Sequence, residues 1–166
     1  YDASHGKVLV DGVDVRFYEQ EDLRNRIGYV SQKAILFSGT VASNVAYGEN
    51  GRSGITADDV RETVSIAQAT EFVEKMDGTY GAAIAQSGTN VSGGQKQRLS
   101  IARAVARKPE ILIFDDSFSA LDYRTDKALR QALREKTADT TKIIVAQRIS
   151  TIRDADQILV LDHGKI

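Results

Sequence analysis

The chain has 166 residues, of which 42% are hydrophobic and 27% are charged, and its formal net charge is −1. Such a composition provides enough apolar surface for a core and excludes an intrinsically disordered chain. The charge balance gives no electrostatic basis for binding nucleic acid. The absence of cysteine excludes disulfide bonds and cysteine-based metal sites. No apolar run approaches the ~20 residues that span a membrane, so any membrane-spanning part must belong to other segments or chains.

The first half of the sequence combines short apolar strands with a long helical stretch. Two short strands are predicted at residues 7–10 and 13–15, joined by a turn at Asp11-Gly12. The patterns that follow predict, in order, a helical turn at 19–26, a strand at Ile27–Val30 before Ser31 and Gln32, helices from 34 to about 86, and a loop at 78–90. This half therefore predicts a helical segment that follows a strand.

The second half alternates strictly between helices and strands. Its apolar spacing predicts a helix at 93–108 ended by Pro109, a strand at Ile111–Asp115, a helix at Tyr123–Lys136, a strand at 142–146, a short helix at 149–153 and a strand at 157–161. Alternation of this kind is typical of an α/β fold with a parallel sheet and right-handed crossovers. Asp115 and Asp116 then stand at the carboxyl end of a central strand, where such sheets bind ligands.

The helix predicted at 93–108 starts within the run Val91-Ser92-Gly93-Gly94-Gln95. Ser92 and Gln95 have the spacing of a capping box, in which each side chain satisfies a backbone N–H of the other residue. The two glycines allow backbone N–H groups to approach a ligand closely, and the positive end of the helix dipole favours an anion. The sequence therefore predicts a helix start suited to phosphate.

A series of motifs in a fixed order resembles the ATPase domain of ABC transporters. The resemblance covers essentially all 166 residues and is carried by Val91-Ser92-Gly93-Gly94-Gln95, Ile113-Phe114-Asp115-Asp116, Ser119-Ala120-Leu121-Asp122 and Val145-Ala146-Gln147-Arg148. The first run is similar to the family's Leu-Ser-Gly-Gly-Gln signature, with Val91 in the first place. The second is similar to the Walker B strand.

This resemblance implies a P-loop NTPase-like α/β core with a mainly parallel sheet and an inserted helical subdomain. The chain would be one partial domain, with core at 1–33, the helical subdomain at 34–90, and the signature helix with the RecA-like core at 91–166. The phosphate-binding pattern G-x-x-x-x-G-K-[ST] does not occur in the sequence. We interpret its absence as truncation of the domain, which we expect to be cut at both ends.

The family's own ATP site implies roles for four residues. Asp115 would help to hold Mg²⁺, and Gln32 would reach either Mg²⁺ or the attacking water. Asp116 stands where active members carry a catalytic Glu, and Gln147 stands where they carry a His. Asp is one methylene shorter than Glu, and Gln never becomes cationic. Both departures predict poor hydrolysis at this site, as in the degenerate half of a heterodimeric exporter.

The resemblance also implies two partners. Two ATPase domains of this family meet head to tail, so Ser92, Gly93, Gly94 and Gln95 would bind ATP held by a second domain. Asp122, in the D-loop, would cross toward that site and also cap the next helix. A transmembrane domain would dock on the helical region at residues 36–41, unless these residues form ordinary core. ATP and Mg²⁺ are the expected cofactors, and the cytoplasmic face of the cell membrane is the expected location.

Two other functions are compatible with the same motifs. One is a soluble ABC-type ATPase of DNA repair or chromosome maintenance. The stretch between Gln32 and Ser92 argues against it because that stretch is short, whereas those relatives carry a long coiled coil. The other is a non-catalytic nucleotide-binding regulatory module, which Asp116 and Gln147 favour in part.

Overall fold

The computed structural model describes residues 2–48, 51 and 54–166, which form an α/β arrangement. In this part of the chain the helices are α1 (Gln20–Arg26), α2 (Val41–Val45), α3 (Ala57–Ile66), α4 (Thr70–Lys75), α5 (Gly93–Ala106), α6 (Tyr123–Lys136) and α7 (Ile149–Ile152). The strands are β1 (Leu9–Val10), β2 (Val13–Asp14), β3 (Ile27–Val30), β4 (Gly39–Thr40), β5 (Ala83–Ile84), β6 (Ile111–Asp115) and β7 (Thr141–Val145).

A parallel three-stranded sheet in the order β3-β6-β7 forms the centre of the fold. Val30, Leu112 and Phe114 are fully buried on one face, where α5 packs against β3. On the other face Tyr29 and Ile143 are about half exposed. The prediction of a central strand at Ile111–Asp115 is confirmed, although only one of its faces is fully buried among the described residues.

Gly28 permits the close contact between β3 and α5. A Cβ atom at this position would lie 2.8 Å from Leu112 Cδ2, 2.9 Å from Pro109 Cγ and 3.0 Å from the Ala104 carbonyl oxygen. Real Cβ atoms do not approach neighbours so closely, so any larger residue must displace either the strand or the helix. Gly28 thus sets the distance between the sheet and α5.

Helices α2, α3 and α4 form the region between β3 and α5, where α2 and α3 pack directly against α5. Thr56 caps α3 as part of a capping box with Asp59. The helical stretch predicted from 34 to about 86 is confirmed only at α2, α3 and α4, while residues 34–38 are irregular and residues 49, 50, 52 and 53 lie outside the described part of the chain. The predicted loop at 78–90 is wrong in detail, since β5 pairs there with β4 and 3₁₀ turns form at Thr79–Gly81 and Gln86–Gly88.

Two predicted strands differ from the structure. The first strand is shorter than predicted and pairs with β2 as an antiparallel hairpin. The predicted strand at 157–161 is wrong, because these residues join none of the described sheets. A strand needs a neighbour for its backbone donors and acceptors, whereas Leu159, Val160 and Leu161 are 60–74% exposed. A bridge between Asp162 and Lys165 closes the turn that follows.

Candidate functional site

The carboxyl ends of β3, β6 and β7 lie at one edge of the parallel sheet. Asp115 is the last residue of β6 and is in register with Val145 at the end of β7. Gln32 follows β3 by two residues, and Gln147 follows β7 by two residues. The topology therefore brings Gln32 and the two aspartates to the edge predicted from sequence. Gln147 follows the neighbouring strand, and its side chain is exposed.

Asp116 contacts both neighbouring strand ends. Its backbone N–H donates to the Val145 carbonyl at 2.9 Å, and the Gln32 side-chain amide donates to its carboxylate at 3.3 Å. The residue adopts a left-handed backbone conformation with φ 46°, which Asp tolerates better than most residues. Gln32 and Asp116, which are 84 positions apart in sequence, thus form one hydrogen-bonded pair.

Asp115 has a partner that sequence reasoning missed. The Tyr29 hydroxyl donates to the Asp115 carboxylate at 2.9 Å. This hydrogen bond is the main reason that the pKa of Tyr29 is raised above its ordinary value, and desolvation adds to the shift. The available signal was the strand pattern, since Tyr29 pairs in register with Ile113 and therefore shares a sheet face with Asp115.

Two buried polar side chains support the loop that carries Gln32. The Ser117 hydroxyl donates to the Val30 carbonyl at 2.8 Å, and the Gln97 amide donates to the Ser31 carbonyl at 3.1 Å. Gln97 is 2% exposed and belongs to α5. Sequence reasoning missed both residues, although a polar residue among apolar neighbours is a usable signal because buried polar groups are generally hydrogen-bonded.

The start of α5 has the predicted capping box. The Ser92 N–H donates to the Gln95 side-chain oxygen at 2.8 Å, and the Gln95 N–H donates to the Ser92 hydroxyl at 3.3 Å. A Cβ atom on Gly93 would meet nothing within 4 Å, whereas one on Gly94 would lie 3.3 Å from the Ala120 carbonyl oxygen. The helix start is therefore open at Gly93 and packed against Ala120 and Leu121 at Gly94.

Asp122 caps α6, as predicted. Its carboxylate accepts hydrogen bonds from the Thr125 N–H at 2.9 Å and the Thr125 hydroxyl at 2.6 Å. These bonds, with that of the hydroxyl the largest, hold the pKa of Asp122 below its ordinary value. Its position next to the Gly94 contact places this cap beside the start of α5.

Comparison with known proteins identifies the family. The sequence profile described as ABC transporter matches residues 1–119. The chain belongs to the ABC transporter family. It is 50% identical over 166 residues to an uncharacterized ABC transporter ATP-binding protein of Mycobacterium tuberculosis and 41% identical to an ATP-dependent lipid A-core flippase of Haemophilus influenzae. In both cases the match covers 100% of this chain and 28% of the relative.

A solved structure shows the same fold. The structure of a bacterial Atm1-family ABC exporter with ATP bound superimposes with a TM-score of 0.92 and 38% sequence identity, covering 100% of this chain and 29% of that one. The predicted membership of the ABC transporter family and the α/β fold are confirmed. None of the helices in the described part of the chain has the length and hydropathy needed to cross a bilayer.

The donor set at the sheet edge fits Mg²⁺ in the way this ion is usually held. No group of three or more His, Cys, Asp or Glu side chains that could enclose a metal ion occurs among the residues described. Mg²⁺ instead commonly takes one or two protein oxygens and completes its shell with water and phosphate oxygens. Asp115 offers a carboxylate, and Gln32 keeps its amide oxygen as an acceptor while its N–H group contacts Asp116.

The predicted transporter-docking surface at 36–41 needs correction. Leu36 is 1% exposed and Val41 is fully buried, so these two residues are core, as the alternative interpretation held. The exposed apolar side chains of this region are Ile35, Phe37 and Tyr47. We define Phe37 and Tyr47, whose rings contact each other, as the aromatic surface.

Proposed function

We propose that this chain is the nucleotide-binding domain of an ABC exporter and couples ATP binding and hydrolysis to export across a membrane. The observation that carries the proposal is the hydrogen-bonded group at the sheet edge, where Gln32 contacts Asp116 beside Asp115. Because the family is built around membrane transport, we infer that the domain works at the cytoplasmic face of the membrane. The relatives named as a flippase and as an exporter support this assignment.

At the chain's own nucleotide, Asp115 and Gln32 would hold Mg²⁺, which neutralises charge on the transferring phosphate. Asp116 would act as the base that orients the attacking water. Its carboxylate is one methylene short of the family's Glu and is engaged by the Gln32 amide. Gln147 can donate a hydrogen bond but carries no charge. We therefore infer that this site binds ATP and hydrolyses it slowly.

The start of α5 would serve the nucleotide of a second ATPase domain. Ser92, Gly93, Gly94 and Gln95 would surround the terminal phosphate of ATP held by the partner, in a head-to-tail arrangement with Asp122 at the crossing. Two features support this role, namely the open backbone at Gly93 and the positive end of a 14-residue helix. Because this start is nearly intact while Asp116 and Gln147 depart from the family form, we infer a heterodimer with a catalytically competent partner.

A transmembrane domain would dock on the aromatic surface. Phe37 and Tyr47 are 42% and 54% exposed, and their rings lie 4.4 Å apart. Exposed aromatic side chains in contact with each other are typical anchors of protein interfaces. Their position shortly after Gln32 in the chain would let the membrane partner sense the state of the nucleotide site.

The division of labour is tested in the full-length complex with its partner domain. Ser92→Arg places a bulky side chain where the partner's terminal phosphate must sit, so we expect ATP hydrolysis to fall to background. Asp116→Ala removes a carboxylate that contributes little to turnover, so we expect most of the rate to remain. Steady-state ATPase rates of the two purified variants measure both effects.

Thr56→Arg is the matched control, because Thr56 caps α3 with the same kind of capping box away from the site. This variant should keep the wild-type rate, which would separate loss of a helix cap from loss of nucleotide contact. Equal losses from Ser92→Arg and Asp116→Ala would contradict the unequal roles of the two sites. An unchanged rate in Ser92→Arg would contradict the head-to-tail assignment.

A further inference from the structure

Arg103, in the last turn of α5, connects this helix to residues 33–47, the segment that carries the aromatic surface. Its guanidinium donates to the Asn44 carbonyl at 2.7 Å, to the Ile35 carbonyl at 2.8 Å and to the Asn44 side-chain oxygen at 2.9 Å. These acceptors lie 59 and 68 positions away in the sequence. One side chain of α5 therefore holds residues 33–47 at two points, one between β3 and β4 and one within α2.

Two aromatic rings complete the environment of the Arg103 side chain. The guanidinium carbon lies 5.1 Å from the Phe37 ring centroid and 5.7 Å from that of Tyr47. A planar guanidinium both stacks on rings and donates in fixed directions, which the ammonium group of lysine cannot do. The exposed rings and the hydrogen bonds to Ile35 and Asn44 thus involve the same guanidinium group.

Asn44 makes the segment rigid from within. It is 1% exposed; its side-chain oxygen accepts from the Phe37 N–H at 2.8 Å, and its amide donates to the carbonyls of Phe37 at 2.8 Å and Thr40 at 3.0 Å. Because Arg103 also binds this side-chain oxygen, the segment and α5 belong to one hydrogen-bond network.

A second connection lies nearer the start of α5. Gln97 on this helix donates to the Ser31 carbonyl, next to Gln32. The helix that begins with Ser92 and Gly93 is therefore bound to both ends of the segment, through Gln97 at one end and Arg103 at the other. A displacement of the aromatic surface must then move α5 or break these bonds.

We propose that Arg103 is a positioning residue that makes the aromatic surface and the signature end of α5 move as one rigid unit. This inference rests on the proposed function, in which the surface contacts a membrane domain and the helix start contacts the partner's nucleotide. Arg103 itself contacts neither the membrane domain nor the nucleotide. It transmits a shift at one contact to the other through a partly buried, charge-assisted set of hydrogen bonds.

Arg103→Lys in the full-length protein tests the connection. The variant keeps the charge but loses the planar fork, so we expect backbone amides of residues 33–47 to exchange hydrogen about tenfold faster without nucleotide. On addition of MgATP to wild type, protection should change at both 91–97 and 33–47. In the variant we expect the change at 91–97 to persist and the change at 33–47 to disappear. Exchange measured by mass spectrometry reports each segment separately.

Arg98→Lys is the matched control. Arg98 lies on the same helix, donates to the Gln68 carbonyl at 2.7 Å and stacks on Phe72 at 4.7 Å, so it binds α5 to a different segment. This variant should speed exchange around Gln68 and leave the MgATP response at 33–47 intact. Loss of that response in both variants would indicate general loosening of α5 and would overturn the specific role of Arg103.

Other results would also overturn the proposal. If Arg103→Lys exchanges at 33–47 as wild type does without nucleotide, the connection does not exist. If residues 33–47 exchange faster in Arg103→Lys but still respond to MgATP, Arg103 does not transmit the change from the start of α5 to this segment. Should Arg103→Lys fail to fold, Arg103→Gln removes the planar fork in a second way, and loss of the 33–47 response is again expected, while a retained response overturns the proposal. If the wild-type protein shows no MgATP response at 91–97, the proposed function is contradicted instead. The exchange of residues 33–47 in wild type and Arg103→Lys without nucleotide still decides whether Arg103 connects the two regions.

Discussion

The start of α5 and the group at the sheet edge are built in different ways. The capping box of Ser92 and Gln95 joins residues three positions apart, so a short stretch of sequence determines it. The pair of Gln32 and Asp116 joins residues 84 positions apart and depends on the whole sheet. A site made from local contacts can stay intact while a neighbouring site made from distant contacts changes its chemistry.

The residue types found in the two regions are consistent with this difference. The start of α5 keeps the form of the family signature except at Val91, while the sheet edge carries Asp116 and Gln147 in place of the expected Glu and His. We infer that the first region is maintained for the partner's nucleotide and that the second has lost efficient hydrolysis. Predictions that change one region and spare the other test this comparison directly.

The largest effect is expected from restoring the family residues at the sheet edge. Asp116→Glu combined with Gln147→His gives the base its missing methylene and supplies a side chain that can become cationic. Because a positioned general base contributes about 10²-fold or more in rate, we expect hydrolysis at this site to rise at least about tenfold. Single-turnover ATP hydrolysis by the full-length complex, with the partner's site inactivated, measures the change.

The same chemical changes at the exposed residues Asp139 and Gln131 provide the control, since both lie away from the sheet edge. Asp139→Glu with Gln131→His should leave the rate unchanged. A restored pair that hydrolyses no faster than wild type would show that the shorter carboxylate and the missing His do not limit this site.

The second effect concerns the packing that positions Gln32. Gly28→Ala adds a Cβ atom 2.8 Å from Leu112 Cδ2 and 3.0 Å from the Ala104 carbonyl, so β3 and α5 must separate. Overpacking of this kind costs about 1–3 kcal/mol of unfolding free energy. We expect a lower denaturation midpoint for the domain within the full-length protein and a weaker contact between Gln32 and Asp116.

Gly81→Ala is a suitable control because a Cβ atom there would meet nothing within 4 Å. Its denaturation midpoint should stay close to that of wild type. If Gly28→Ala were equally harmless, the separation of β3 and α5 would not be set by Gly28. Gly28→Ala with normal stability but altered hydrolysis would instead place its effect on Gln32 alone.

Sequence patterns predicted the segments that carry local information. The bounds of β3, β6 and α6 agree with prediction because Ile27–Val30 and Ile111–Asp115 are continuous apolar runs and because Asp122 marks the start of its helix. The capping box at the start of α5 follows from the spacing of Ser92 and Gln95. Apolar runs, caps and a fixed motif order were sufficient to predict the family and the edge of the sheet.

The rest depends on contacts between distant residues. Two-residue strands such as β4 and β5 have no periodic pattern, and the apolar run at 157–161 finds no pairing strand among the residues described. The contacts of Tyr29 with Asp115 and of Arg103 with Asn44 need the folded register of sheet and helices. Spacing along the chain does not contain that information.

The smallest effect is expected at Asp122, beside the contact between the two regions. Hydrogen bonds from Thr125 lower the pKa of Asp122 below its ordinary 3.8, so the folded state binds this proton less readily than the unfolded state. The carboxylate thus stabilises the fold above the unfolded pKa, and this contribution is lost as pH falls through the lowered pKa. Asp122→Asn caps about equally well at neutral pH but does not titrate.

Thermal unfolding between about pH 7 and about pH 3 measures this difference. We expect Asp122→Asn to match wild type at neutral pH and to lose less of its Tm on acidification. Asp139→Asn removes one carboxylate from the loop after α6 and serves as the control. If Asp122→Asn and wild type had the same pH profile, the carboxylate would cap α6 no better in its charged form than in its protonated form.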